Sequence, residues 1–230
     1  MDEQIGLFEH TITSQLATIL NKTGELSQYL SKSMFLISIG ANDFIQNYFD
    51  PLYLSSKQYS HAQFAQLLVD KFSQQLKRLY DVGVRKIIIM DIGPIGCLPT
   101  FTRAHNATCD EDINDAVSQF NNLLSSTLQK LASNLPNSHF ILGRGYNTFY
   151  DAVLNPAKYG ILDVNNPCCT TWLNGKLACV PMLDPCPDSN KHLFWDGYHP
   201  TEDVYRYWIS QCIHDSSFCY PMNLEELTRA

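Results

Sequence analysis

Ile5, Phe8, Ile12, Leu16 and Ile19 recur at intervals of three and four residues, the spacing of one face of an α-helix. Residues 2–20 are therefore expected to be helical, with Gly24 closing the segment. The pattern then changes. Residues 34–39 are apolar except for Ser38 and end at Gly40, which reads as a strand buried on both faces. Helical spacing returns at Phe64, Leu67, Leu68, Phe72, Leu76 and Leu79, with Ser60 in the capping position and Gly83 as a stop. A second buried strand spans 86–92. Ile113, Val117, Phe120, Leu124, Leu128 and Leu131 mark another helix, opened by Asp110 or Asp112 and ended by Pro136. His139–Leu142 reads as a third strand. A long irregular segment follows, and Thr201 is expected to cap a last helix carrying Val204, Tyr207 and Trp208. Glu202 and Asp203 suit its first turn, where the helix dipole favours anions. Strands alternating with helices imply an α/β fold with a parallel sheet. No repeat or linker divides the chain, so residues 1–230 read as one domain.

Two stretches carry chemistry. Phe194-Trp195-Asp196-Gly197-Tyr198-His199-Pro200 places a carboxylate three residues before a histidine, in a turn closed by proline. A histidine base needs a partner that fixes its tautomer and stabilises the imidazolium formed when it takes a proton, and Asp196 is placed to serve His199 in that way. Phe194, Trp195 and Tyr198 are expected to wall the pair off from water. The second stretch is Gly40-Ala41-Asn42-Asp43 at the carboxyl end of the first strand. Ligands bind at that edge of open α/β sheets, and a side-chain amide there can donate to a developing oxyanion. Read alone, the Asp196–His199 stretch is more often a surface turn than a dyad, and Asn42 and Asp43 also fit a polar turn that caps the strand.

Together, Gly40-x-Asn42-Asp43 and Asp196-x-x-His199 resemble the blocks of the SGNH, or GDSL, esterase/lipase superfamily, in particular its plant branch. Ile92-Gly93-Pro94-Ile95-Gly96-Cys97-Leu98-Pro99, Asn155-Pro156-x-Lys158-Tyr159-Gly160 and Cys168-Cys169 match that branch too, so the likeness covers nearly the whole chain. It implies a three-layer, flavodoxin-like parallel sheet flanked by helices. It also implies Ser-His-Asp acyl transfer on carboxylic esters, with Asp196 and His199 catalytic and Asn42 in the oxyanion hole. The substrates it implies are a small-molecule ester, a lipid or an acylated glycan, hence lipid degradation among the expected roles. No cofactor, metal or nucleic acid is implied, and a monomer is expected.

The superfamily order is a Gly-Asp-Ser nucleophile block, a glycine block, Gly-x-Asn-Asp, then Asp-x-x-His. No Gly-Asp-Ser occurs in this sequence, and neither Gly6 nor Gly24 matches the glycine block. The resemblance thus implies a partial domain that lacks the first two strands of the family fold, with Met1 internal to a longer ancestor or opening a shortened product. Such a chain keeps a base and one oxyanion donor, lacks the nucleophile, and is expected to be an inactive hydrolase or a non-catalytic binding remnant. Ser38 reads as a small polar residue of a buried strand, hydrogen-bonded to backbone, rather than a substitute nucleophile. The strand at 34–39 would lie at an uncovered edge, an aggregation hazard.

Composition narrows the setting. The chain has 230 residues, 45% of them hydrophobic and 17% charged, enough apolar material for a sizeable core. A net charge of −7 argues against nucleic acid as a partner, since phosphate binding calls for basic stripes. No apolar run reaches the ~18 residues of a membrane span, and Met1-Asp2-Glu3-Gln4 has no character of a signal peptide. No G-x-G-x-x-G or P-loop lysine is present. Eight cysteines, most of them in proline-rich loops, favour disulfides and secretion over zinc, because C-x-x-C pairs are absent. Cys97 with Cys109 and Cys212 with Cys219 bracket short loops and are expected to pair. Cys168, Cys169, Cys179 and Cys186 leave three connectivities open. Asn21-Lys22-Thr23 and Asn106-Ala107-Thr108 are glycosylation sequons.

Overall fold

The computed structural model describes residues 1–20, 23–103, 105–172 and 178–230. Three parallel strands form the sheet: β1 (Met34–Ser38), β2 (Lys86–Met90) and β3 (His139–Gly143), in that spatial order. Met34 pairs with Lys86, and Lys86 with His139, so the carboxyl ends of all three strands lie along one edge. A two-residue strand, β4 (Cys219–Tyr220), pairs antiparallel with β3 and was not foreseen. The α/β architecture that the resemblance implies is thus present.

Among the described residues, seven main helices surround the sheet. They are α1 (Asp2–Thr11), α2 (Thr23–Lys32), α3 (His61–Asp81), α4 (Glu111–Asn134), α5 (Gly145–Leu154), α6 (Glu202–His214) and α7 (Leu224–Arg229). Side chains alternate between the faces of a strand, and the packing follows that alternation. Ile87, Ile89, Phe140 and Leu142 join Ile5 of α1, Leu76 of α3, and Val117 and Phe120 of α4 in one core. Ile88 and Ile141, on the opposite face, pack with Cys212 of α6, Leu227 of α7, Phe218 and Cys219. The helices crossing from β1 to β2 and from β2 to β3 cover the same face. That follows from strands laid down in one direction with one crossover hand.

Several local expectations are corrected. Gly24 lies inside α2. The first helical stretch, prolonged by a π-helical turn at Ile12–Leu16 and by Ala17–Ile19, instead gives way at Leu20, where ψ is 67°. Residues 44–48 form a π-helical turn and Ser55–Gln58 a short helix between β1 and α3, a stretch for which the pattern predicted no element. The irregular segment after β3 begins with α5, a helix the sequence reading missed. Thr201 precedes α6, but its hydroxyl donates to the His192 carbonyl (2.9 Å) and does not cap the helix. Ser60 accepts from the Gln63 N–H and Gln63 from the Ser60 N–H, a reciprocal cap that starts α3. Asp110 caps α4 through the N–H groups of Asp112 and Ile113.

Strand β1 was expected to be buried on both faces. It is not: Leu36 is 61% exposed and Met34 48%. The strand stands at the sheet's edge. Among the described residues, α6 and α7 cover β2 and β3 on that face but leave Met34, Leu36 and Ser38 open.

All eight cysteines are paired. The bonds are Cys97–Cys109, Cys168–Cys186, Cys169–Cys179 and Cys212–Cys219, with Cα separations of 4.2 to 5.6 Å. These separations lie below the ~7 Å limit for bridging without backbone movement. The sequon at Asn21 lies outside the described residues.

Candidate active site

A cleft of about 870 Å³ opens at the carboxyl edge of the sheet, along β1. Asn42, reached from β1, and His199, reached from the turn before α6, both line it.

The path to Asn42 begins at Gly40, whose φ of 110° is one that only glycine adopts freely. A Cβ there would also meet the Ile92 Cδ1 at 2.8 Å. The Gly40 carbonyl then accepts from the Asp43 and Phe44 N–H groups, closing a tight turn with Asn42 in its exposed middle. Phe44 holds the turn from below. It is fully buried and meets Phe64 and Phe120 edge-on at ring separations of 5.4 and 5.9 Å. Such aromatic pairs contribute about 0.5–1.5 kcal/mol each beyond area burial.

The histidine turn is a small hairpin. The Trp195 N–H donates to the His199 carbonyl (2.8 Å) and the Thr201 N–H to Leu193 (3.0 Å). Asp196, 7% exposed, sits inside it. One of its oxygens accepts from the Tyr198 and His199 N–H groups at 2.8 and 2.7 Å. Both oxygens contact the His199 Nδ1, at 3.0 and 2.8 Å. An ionised carboxylate only accepts, so Nδ1 carries the proton and Nε2 is left as an acceptor. Three donors on one buried carboxylate fix its position by short-range contacts.

The outer side of the hairpin is bolted to the disulfide-closed loop. The Cys168 N–H donates to the Phe194 carbonyl (2.9 Å) and the Cys169 N–H to Trp195 (3.0 Å). On the other side, the Thr100 N–H donates to Gly197 (3.3 Å). The aromatic residues do not seal the pair from water as expected. Phe194 is wholly in the core, Trp195 is 37% exposed, and the His199 side chain is 67% exposed.

Sequence reasoning missed other residues of the cleft. Tyr205 and Trp208 on α6 line it and meet edge-on at 5.6 Å. Burial and the Asp196 charge raise the Tyr205 phenol, so it stays protonated at neutral pH. Asp91, placed at the end of a strand by its sequence, turns its carboxylate onto the start of α5. It accepts from the Gly145 N–H at 2.8 Å and the Tyr146 N–H at 3.1 Å. Burial raises it to about 7 against the pull of those two donors. The available signal was its place at the carboxyl end of a parallel strand. Ser38 carries the sole aliphatic hydroxyl among the described residues of the cleft wall. It is exposed, which corrects its assignment to a buried strand. Among the described residues, no group of three or more His, Cys, Asp or Glu is placed to hold a metal ion.

A model of the GDSL-like lipase/acylhydrolase family matches residues 2–211. The chain belongs to this family. GDSL esterase/lipase 7 of Arabidopsis thaliana is 36% identical over 233 residues, an alignment that takes in 98% of this chain and 64% of that protein. A second Arabidopsis GDSL esterase/lipase is 35% identical over 99% of this chain and 64% of its own length. A third is 34% identical over 98% of this chain and 59% of its own length. The chain therefore spans about three fifths of the length of these relatives. Its matched region includes Asn42, Asp196 and His199.

Proposed function

We propose that the cleft is the base-and-oxyanion half of an ester hydrolase that works by Ser-His-Asp acyl transfer. The observation that carries this reading is the contact of both Asp196 oxygens with the His199 Nδ1, in a cleft shared with Asn42. Asp196 orients the ring and stabilises the imidazolium. The His199 Nε2 takes the proton of an attacking hydroxyl and returns it to the leaving alcohol. The Asn42 amide donates to the oxygen of the carbonyl as charge develops on it. Apolar and aromatic walls suit the acyl part of a small-molecule, lipid or acylated-glycan ester.

No Gly-Asp-Ser nucleophile block occurs in the 230 residues. That favours a second reading for the chain as it stands: a single partial domain, residues 1–230, that binds esters without turning them over. Four disulfides using every cysteine support an extracellular glycoprotein, and we take the chain to be monomeric.

Hydrolysis of short p-nitrophenyl esters by the chain, His199→Ala and Ser38→Ala separates the two readings. A positioned base contributes ~10²–10⁴-fold, and each missing oxyanion donor costs ~10²–10³-fold. With no nucleophile block for the base to activate and two of the oxyanion donors missing, the base has little to act on, so the chain should match His199→Ala and stay close to background. Burst kinetics abolished by both substitutions would overturn the non-catalytic reading and identify Ser38 as the nucleophile.

A further inference from the structure

Asn106-Ala107-Thr108 lies near the end of the loop closed by Cys97–Cys109, and all three residues are exposed. Asn106 and Ala107 both have positive φ, 53° and 62°. The turn is held by Ala107 N–H to the Thr102 carbonyl (2.9 Å) and Thr108 N–H to the His105 carbonyl (3.0 Å). The Thr108 hydroxyl donates to the same His105 carbonyl at 2.6 Å. His105 Nε2 stands 3.0 Å from Asp110, and the Asp110 N–H donates to Gly96.

We propose that Asn106 carries an N-linked oligosaccharide, and that it is attached before Cys97–Cys109 closes. The proposal rests on the extracellular reading above. An oxidising compartment that forms four disulfides is also the one that supplies a lipid-pyrophosphate-linked oligosaccharide. In the transfer, the Asn106 Nδ2 forms a bond to the sugar C1 as the bond from C1 to the pyrophosphate oxygen breaks. The lipid pyrophosphate leaves with the electron pair, and Nδ2 gives up one proton to a base of the transferase.

The acceptor reaction uses an extended Asn-x-Thr segment whose hydroxyl is free to meet the asparagine. The folded turn offers neither. Two successive left-handed residues curl the backbone, and the hydroxyl is committed to His105. Opening the turn is easy only while the loop is not yet bridged. Once it closes, the exposed Asn106 holds the sugar out in solvent, and a left-handed Asn carries less strain there than most residues would.

The test has two arms. The full chain, behind a cleavable signal peptide, is made in a eukaryotic secretory host and mapped without reduction. The expected result is an oligosaccharide on the peptide bearing Asn106, absent in Thr108→Ala and present in Thr108→Ser. Bare Asn106 in material with all four disulfides formed overturns the proposal and leaves the extracellular reading standing. Free cysteines throughout overturn the extracellular reading itself, and Asn106 is then scored on its own peptide. In the second arm, bacterially made chain is offered to an oligosaccharyltransferase and its lipid-linked donor, either oxidised and folded or reduced and unfolded. Modification of the unfolded chain alone is expected. Equal modification of both overturns the order of events, and modification of neither overturns the site.

Discussion

Asp91→Asn isolates the charge that the cleft wall holds against the start of α5. In the fold, burial lifts the Asp91 carboxyl from 3.8 to about 7, and the two N–H donors of Gly145 and Tyr146 only partly offset this. A folded-state value above the unfolded one means that the fold prefers the protonated acid. The stabilisation is therefore complete below pH 3.8 and is lost as pH rises through about 7. Integrating the linkage between pH 5 and pH 8 gives a loss of about 2–3 kcal/mol, within a ceiling of about 4 kcal/mol for the whole shift. Asparagine is isosteric and its Oδ1 can still accept from both N–H groups, so the variant should lack this slope. Urea unfolding with disulfides intact, run for both proteins at intervals from pH 5 to pH 8, measures the difference. Wild type should weaken relative to Asp91→Asn by about 2–3 kcal/mol across that range. Parallel curves would refute the reasoning. A wild type that gains on the variant with rising pH would show that the helix terminus and its two donors outweigh burial, since anions at that position are favoured by ~0.3–1 kcal/mol.

Two further outcomes are expected. Gly96→Ala would set a Cβ 2.1 Å from the Asp110 carbonyl oxygen and 2.8 Å from the Asn114 Oδ1, against backbone and a buried side chain. Chemical denaturation should register a loss of about 1–3 kcal/mol or more, and a neutral variant would contradict the packing of that loop. Leu36→Lys places a charge on the open edge of the sheet, where Leu36 is 61% exposed. It should reduce concentration-dependent association, followed by light scattering, while leaving the unfolding midpoint within ~0.5 kcal/mol of wild type; unchanged association would mean that β1 is not the sticky edge.

What could be read from the residues was what neighbouring residues decide. The apolar runs of β2 and β3, the reciprocal cap at Ser60 and Gln63, and the three-residue step from Asp196 to His199 are all local, and the structure has them. The misses are non-local. Helix α5 begins with glycine and is capped by Asp91, 54 residues away, so no nearby residue announces it. The exposure of β1 depends on what lies beside it, which an apolar string cannot say. Cys168 and Cys169 are adjacent, so spacing could not choose between partners, whereas the hairpin they flank sends one to Cys186 and the other to Cys179. The cleft wall supplied by Tyr205 and Trp208 is likewise set by how α6 packs.

The central claim is that Asn42 and His199 serve one ligand. The most direct measurement is a titration of the full chain with butyrate, the carboxylate product of a short ester, followed at the Asn42 side-chain amide and the His199 ring by ¹⁵N NMR. Both signals should move along a single isotherm. Asn42→Ala should weaken binding by roughly 10–100-fold, as expected for losing one hydrogen bond to a charged ligand, and His199→Ala by a similar factor where the ring is the imidazolium, whose Nε2 then donates to the carboxylate. Signals that follow different isotherms, or a response from one residue alone, would contradict the site.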